Sequence, residues 1–263
     1  MTSWLNLEHK TVIVTGGASG LGAKTVSSIV ECGAAVFVFD LHAGHSVAGV
    51  EYVECDVTDR AEVERATKQV VASAGKIDAL VNFAGVNRPA LLVDYYGGDR
   101  EREASDADFD LQVAVNQKGP FLCAQAAARV MVEQGSGVIV NVTSEAGAEG
   151  SVGQSLYAGT KGGLNAFTLS WAKELGRFNI RVVGVAPAIN VPTPMGNAEH
   201  YAALAYTRGK KPEDVTTDYS ARIPLGRPGE HQEIADAVTY LISERASYVT
   251  GTIVAVTGGK SRG

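Results

Sequence analysis

The stretch that most constrains this chain is Thr15-Gly16-Gly17-Ala18-Ser19-Gly20-Leu21-Gly22. It follows the apolar run Thr11-Val12-Ile13-Val14, which reads as a strand buried on both faces. It opens a helical pattern over residues 23–32. Strand, glycine-rich turn and helix in that order bring free backbone N–H groups and the positive end of a helix dipole to one point, where an anion is held. Glycines let the backbone turn sharply and come close to a ligand with no Cβ in the way. The spacing G-x-x-x-G-x-G differs from the G-x-G-x-x-G fingerprint, and from a P-loop, which ends in Gly-Lys-Ser/Thr. Alone, the turn is either a phosphate cradle or a glycine-rich loop with no ligand.

Apolar runs alternate with helical patterns along the rest of the chain. Strands are expected over residues 35–39, 51–54, 79–81, 138–142, 180–185 and 252–256. Helices are expected over 59–74, with Thr58 or Asp59 as cap, and over 106–134, 155–177 and 230–243. Pro120 is expected to break or kink the second of these. The alternation predicts a single-domain, Rossmann-type doubly wound α/β fold over residues 1–263, with about seven parallel strands and helices on both faces. Two segments are irregular, 86–105 and 187–228, and the second is expected to be a substrate loop within the domain.

Composition excludes several partners. A formal net charge of −6 gives no electrostatic case for nucleic acid or an acidic membrane. Cys32, Cys55 and Cys123 are scattered with no C-x-x-C, so neither a disulfide scaffold nor a metal site is expected. The first residues lack a basic region followed by an apolar run, and no run of about 18 apolar residues follows. A cytoplasmic protein is expected.

In doubly wound folds an acidic residue at the end of the second strand binds the adenosine ribose hydroxyls. Asp40 stands there, followed by Leu41, and its carboxylate would repel a 2′-phosphate, so NAD is expected over NADP. Asp56 with Val57 ends the third strand; Asp56 either reads an adenine amino group or closes a turn before the next helix. Tyr157 and Lys161 are four apart in a helical stretch and share one face. An ammonium beside a phenol favours the phenolate, which suits a general base. Ser144 directly follows the fifth strand, at the carboxyl edge where such folds bind ligands, and its hydroxyl can hold a substrate oxygen.

Together these residues resemble the short-chain dehydrogenase/reductase family along almost the whole chain. Thr15-Gly16-x-x-x-Gly20-x-Gly22 looks like its cofactor turn. Asn82-Phe83-Ala84-Gly85 looks like its Asn-Asn-Ala-Gly motif, with Phe83 in place of the second Asn. Ser144, Tyr157 and Lys161 match its Ser and Tyr-x-x-x-Lys set, and Asn116 its catalytic Asn. The resemblance implies that Tyr157 is the acid/base, Ser144 the substrate-oxygen partner, Lys161 a ribose ligand that tunes Tyr157, and Asn116 the holder of a proton-relaying water. It implies NAD contacts from Gly16, Ser19, Gly20, Leu21, Gly22, Asn82, Ala84, Gly85, Pro187, Ala188, Ile189 and Thr193 as well. Pro187-Ala188 replaces the family's Pro-Gly, and the stretch before Thr193 is one residue longer. A homotetramer built on the two long helices is implied by the family alone.

Within the family, Ala205-Tyr206-Thr207-Arg208-Gly209-Lys210-Lys211-Pro212 and the tail from Thr257 look similar to a branch acting on a polyol phosphate. That implies interconversion of sorbitol 6-phosphate and fructose 6-phosphate with NAD. A sugar phosphate needs cationic donors. Arg88, Lys118, Arg208, Lys210, Lys211, Lys260 and Arg262 are the available set, with Arg88 close behind Gly85. Glu145, Glu149 and Asn190 offer polar groups suited to a polyol, although Glu145 equally reads as a buried paired acid. Two other readings stay open: an oxidoreductase for an unphosphorylated sugar, polyol, steroid or acyl substrate, and a protein that binds NAD without catalysis.

Overall fold

The computed structural model describes residues 4–44, 47–97, 100–193, 195–211 and 222–260. Seven strands form one sheet: β1 (Thr11–Thr15), β2 (Ala35–Asp40), β3 (Val50–Glu54), β4 (Ala79–Asn82), β5 (Gly137–Val142), β6 (Ile180–Pro187) and β7 (Thr252–Val256). All pair in parallel, in the order β3-β2-β1-β4-β5-β6-β7. The chain runs outward from β1 to β3, then returns to build from β4 to β7 on the other side. The strand order therefore reverses between β1 and β4, and the crevice for a ligand lies at their carboxyl ends.

Strand residues alternate between two cores. Ile13, Phe37, Leu80 and Ile139 face one side, packed under helices α2 (Arg60–Ala74), α4 (Gly119–Gln134) and α6 (Ser155–Leu175). Val12, Val14, Val38, Val81 and Val140 face the other, under α1 (Gly20–Glu31) and α8 (His231–Ile242). Each fully buried side chain of this kind contributes about 1.5–3 kcal/mol. The strand ends that carry the site are thus fixed on a rigid frame. Asp59 caps α2, its side chain accepting from the N–H groups of Ala61 and Glu62. Among the described residues no helix is long and apolar enough to cross a membrane.

The region over 106–134 departs from expectation. It divides into α3 (Asp106–Val113), a π-helical turn (Ala114–Lys118) and α4. Pro120 follows directly on that turn, at the second residue of α4, and its missing N–H interrupts the ladder at the point where the helix widens. The irregularity is the wide turn before it. Two short helices complete the chain, α5 (Ala146–Glu149) after β5 and α7 (Ala198–Thr207) in the segment after β6.

Candidate active site

The glycine turn joins three strand ends. The N–H of Gly16 donates to the Phe39 carbonyl at 2.8 Å, and Thr15 Oγ1 accepts from the N–H of Ala84 at 3.1 Å. Gly16 has φ +66°, and a Cβ there would lie 2.8 Å from the Ala84 backbone. A Cβ on Gly22 would run into the Gly16 carbonyl. Ser19 occupies the cap position of α1 without using its side chain as a cap, and no acid lies in the first turn. This Cβ-free cradle at a helix N-terminus fits the pyrophosphate of a dinucleotide. Asp40, at the end of β2, accepts from the N–H of Ala18 at 3.0 Å and that of His42 at 3.5 Å, with Leu41 exposed beside it. Asp56 Oδ1 accepts from both the N–H and the hydroxyl of Thr58 at 2.8 Å. This oxygen closes the turn before α2. Val57 is buried against Gly119.

A cavity of about 590 Å³ runs from this turn across the sheet edge. Its wall includes Gly16, Ser19, Gly20, Leu21, Gly22 and Gly85 at one end, then Ser144, Tyr157 and Lys161, then Pro187, Ala188, Thr193, Asn190 and Arg88. Of the other expected residues, Asp40, Leu41, Asp56, Val57, Ala84, Ile189, Glu145 and Glu149 lie outside this wall. So do Asn82 and Asn116, which brace it from behind. Asn82 Nδ2 donates to Asn141 Oδ1, and Asn141 Nδ2 to Thr168 Oγ1, both at 2.9 Å, tying β4 to β5 and α6. Asn116 lies in the π-helical turn, fully buried. Its Oδ1 accepts from the N–H of Val86 at 2.8 Å; its Nδ2 donates to the Val86 carbonyl at 2.9 Å and to Thr160 Oγ1 at 3.1 Å. The wider turn brings this side chain within reach of both β4's outgoing loop and α6.

Lys161 is 5% exposed, and its Nζ donates to the Val142 carbonyl at 2.8 Å. Burial pulls its pKa down to about 8. Tyr157 departs from the expected direction. Crowding around the phenol raises its pKa, the bond from Ser144 acts the other way, and the charge of Glu145 adds to the rise. Lys161 does not reverse this, because its Nζ lies 5.7 Å from the Tyr157 ring centroid and is itself easily discharged.

A buried lysine with a depressed pKa opposes folding while it is charged. The penalty is fully present below about pH 8 and fades as pH rises toward the ordinary lysine value of 10.5. The gap corresponds to about 3 kcal/mol, less about 1 kcal/mol for the Val142 carbonyl left unpaired by a substitution. Lys161→Met is therefore expected to stabilise the fold by about 2 kcal/mol at pH 7. Denaturant unfolding should show that advantage shrinking toward pH 10; a pH-independent difference contradicts the account.

At the substrate end, Glu145 pairs with Lys260 of the C-terminal tail. Its other oxygen is buried without a partner, and burial raises its pKa. Glu149 is exposed on α5. Asn190 Nδ2 donates to the Ala188 carbonyl at 3.0 Å. Among the described residues, five of the seven buried side-chain polar atoms without a partner belong to Asn87, Gln112, Glu145, Asn190 and His200. They cluster around this end, and such atoms ask for an explanation. Asn87 and His200, both in the cavity wall, had no signal in the sequence; His200 is placed by α7. Of the sequence cations, Lys118, Lys210 and Lys211 are exposed away from the wall, and Arg262 lies outside the described residues. No group of three or more His, Cys, Asp or Glu side chains able to hold a metal occurs among the described residues.

Residues 16–261 match the family described as enoyl-(acyl carrier protein) reductase. The chain is 47% identical over 267 aligned positions to sorbitol-6-phosphate 2-dehydrogenase of Klebsiella pneumoniae, covering 100% of each. It is 36% identical to a 3-oxoacyl-(acyl-carrier-protein) reductase of Thermotoga maritima, covering 97% of this chain and 99% of that one. Among solved structures it superposes on ligand-free aldohexose dehydrogenase of Thermoplasma acidophilum with TM-score 0.85 and 26% identity, covering 99% and 98%. It also superposes on 3-ketoacyl-(acyl-carrier-protein) reductase of Brucella melitensis in complex with NADH, with TM-score 0.81 and 27% identity, covering 97% and 100%. With a glycine turn and the Ser, Tyr and Lys set on the wall of one crevice, the chain belongs to the short-chain dehydrogenase/reductase family of oxidoreductases.

Proposed function

We propose that the chain interconverts sorbitol 6-phosphate and fructose 6-phosphate with NAD. The observation that carries the reading is the single cavity wall joining the glycine turn to Ser144, Tyr157 and Lys161. The full-length likeness to sorbitol-6-phosphate 2-dehydrogenase supports the substrate.

A bound nicotinamide supplies the hydride acceptor or donor and, when oxidised, a positive charge. Ser144 Oγ and the Tyr157 hydroxyl hold the oxygen of the substrate's second carbon. In oxidation the Tyr157 phenolate takes the hydroxyl proton as the carbon's hydrogen leaves with its electron pair; in reduction Tyr157 returns the proton. Lys161, charged below about pH 8, holds the ribose. Asn116 fixes Val86 and Thr160 around Lys161, the frame for a water that carries the proton to solvent. Because Tyr157 is held above its ordinary range, oxidation is expected to speed up, and reduction to slow, as pH rises through the alkaline range. The direct test uses sorbitol 6-phosphate deuterated at the second carbon: the label should move to NADH and slow turnover. Release of the label to water would defeat the hydride mechanism.

Asp40 selects NAD by placing a carboxylate where a 2′-phosphate would sit. Asp40→Ala should lower the NAD-to-NADP ratio of kcat/KM by about 10- to 100-fold, the worth of one charged contact. An unchanged ratio would remove Asp40 from that role. A second reading, reduction of a 3-oxoacyl thioester, is favoured by the Thermotoga relative. We further propose a cytoplasmic homotetramer. An exposed groove of about 490 Å³ between α4 and α6, lined by Phe121, Ala124, Ala128, Val132, Trp171 and Leu175, supports a contact there, and light scattering measures it.

A further inference from the structure

We propose that Arg88 and Arg208, with His200, form the clamp that holds the substrate's phosphate at the end of the cavity away from the glycine turn. The proposal rests on the polyol-phosphate reading and names the residues that give it its selectivity. Seven cations were available in the sequence, and the structure sorts them. Lys260 is neutralised by Glu145. Lys118, Lys210 and Lys211 are exposed and outside the cavity wall. Arg88 is exposed but part of the wall, and Arg208 lies outside the wall but is half-buried; neither has an ion-pair partner among the described residues.

Arg208 ends α7 and is half-buried. Its Nη2 lies 3.4 Å from both Ser151 Oγ and Gln154 Oε1, two long bonds to neutral groups. Gln154 caps α6 less than one turn before Tyr157, so Arg208 is anchored beside the reacting centre. His200, two turns earlier on α7, is in the cavity wall with Nδ1 buried and unpartnered. Gln112, fully buried, accepts from the backbone N–H of Arg88 at 3.3 Å and leaves its own Nε2 unpaired. Burial and the positive charges of Arg208 and Arg88 together hold the imidazole below its ordinary range, despite its bond to the Asn87 carbonyl. Arg222 likewise presses on Arg208, and the nearby Glu145 carboxylate, already bonded to Lys260, offsets this in part. Unpaired positive charge is relieved by a dianion, which would also draw a proton onto His200 Nδ1 and so turn that orphaned acceptor into a donor; two guanidinium forks match phosphate oxygens in geometry.

The test measures kcat/KM for sorbitol 6-phosphate and for sorbitol with NAD, in the wild type, Arg88→Met, Arg208→Met and Arg208→Lys. The ratio of the two values should fall by about 10- to 100-fold in each Met variant, through KM and not kcat, with partial recovery in Arg208→Lys. Inorganic phosphate should compete with sorbitol 6-phosphate in the wild type and lose that effect in the Met variants. NADH binding by fluorescence verifies that each variant is folded. A wild type that prefers the phosphorylated polyol, with Met variants that keep the preference, overturns the clamp and leaves the substrate reading intact. A wild type with no preference for the phosphorylated polyol overturns both.

Discussion

Tyr157→Phe is expected to lower kcat/KM by about 10²- to 10⁴-fold in both directions, the usual worth of a positioned acid/base. The variant keeps the ring that packs beside Lys161 and removes only the hydroxyl, so the fold and NADH affinity should persist. Ser144→Ala removes a hydrogen bond to the same substrate oxygen and should cost less, about 10- to 100-fold. The two losses should not add, because both residues act on one oxygen. Steady-state kinetics beside NADH titration separates chemistry from binding. Retention of turnover by Tyr157→Phe would remove the proposed base.

The second large effect falls on the cofactor side. In Gly22→Ala the new methyl meets the Gly16 carbonyl, a backbone atom with no rotamer to yield. Gly16 is itself tied down, its N–H bonded to the Phe39 carbonyl at 2.8 Å. Overpacking of this kind costs about 1–3 kcal/mol, which corresponds to roughly 10- to 100-fold in NADH affinity if the turn opens. Gly159→Ala is the control. Gly159 is exposed on α6, and a methyl group there would meet no atom within 4 Å. Alanine should therefore stabilise the helix by up to about 1 kcal/mol and leave NADH binding alone. Equal NADH affinity in wild type and Gly22→Ala would mean that the turn does not cradle the dinucleotide.

Much of this frame was legible in the sequence because its strands are short apolar runs buried on both faces. The expected strands over 35–39, 138–142 and 252–256 differ from the observed ones by at most one residue at either end. Asp59 capping α2 and Ser144 at the carboxyl end of β5 follow from the same local rules. What escaped depends on contacts far apart in the chain. Pro120 announces an irregularity near Ala114–Lys118, but not that it takes the form of a π-helical turn. Yet that turn is what lets Asn116 reach Val86 and Thr160. Asn82, placed among cofactor residues, spends one side-chain bond on Asn141 across the sheet. The direction of the Tyr157 shift failed for a similar reason: helical spacing shows that Lys161 is a neighbour, but not that burial raises the phenol and discharges the lysine. His200 lies on a helix whose position depends on the whole segment after β6, of which residues 194 and 212–221 lie outside the described residues.

The central claim is that one cavity couples an NAD cradle to acid/base chemistry on a polyol phosphate. The most direct measurement is a substrate panel followed by NADH absorbance: sorbitol 6-phosphate, sorbitol and a 3-hydroxyacyl thioester, each with NAD and with NADP. The account predicts the highest kcat/KM for sorbitol 6-phosphate with NAD, well above sorbitol and above any NADP reaction. Faster turnover of the acyl thioester, or a preference for NADP, would contradict it.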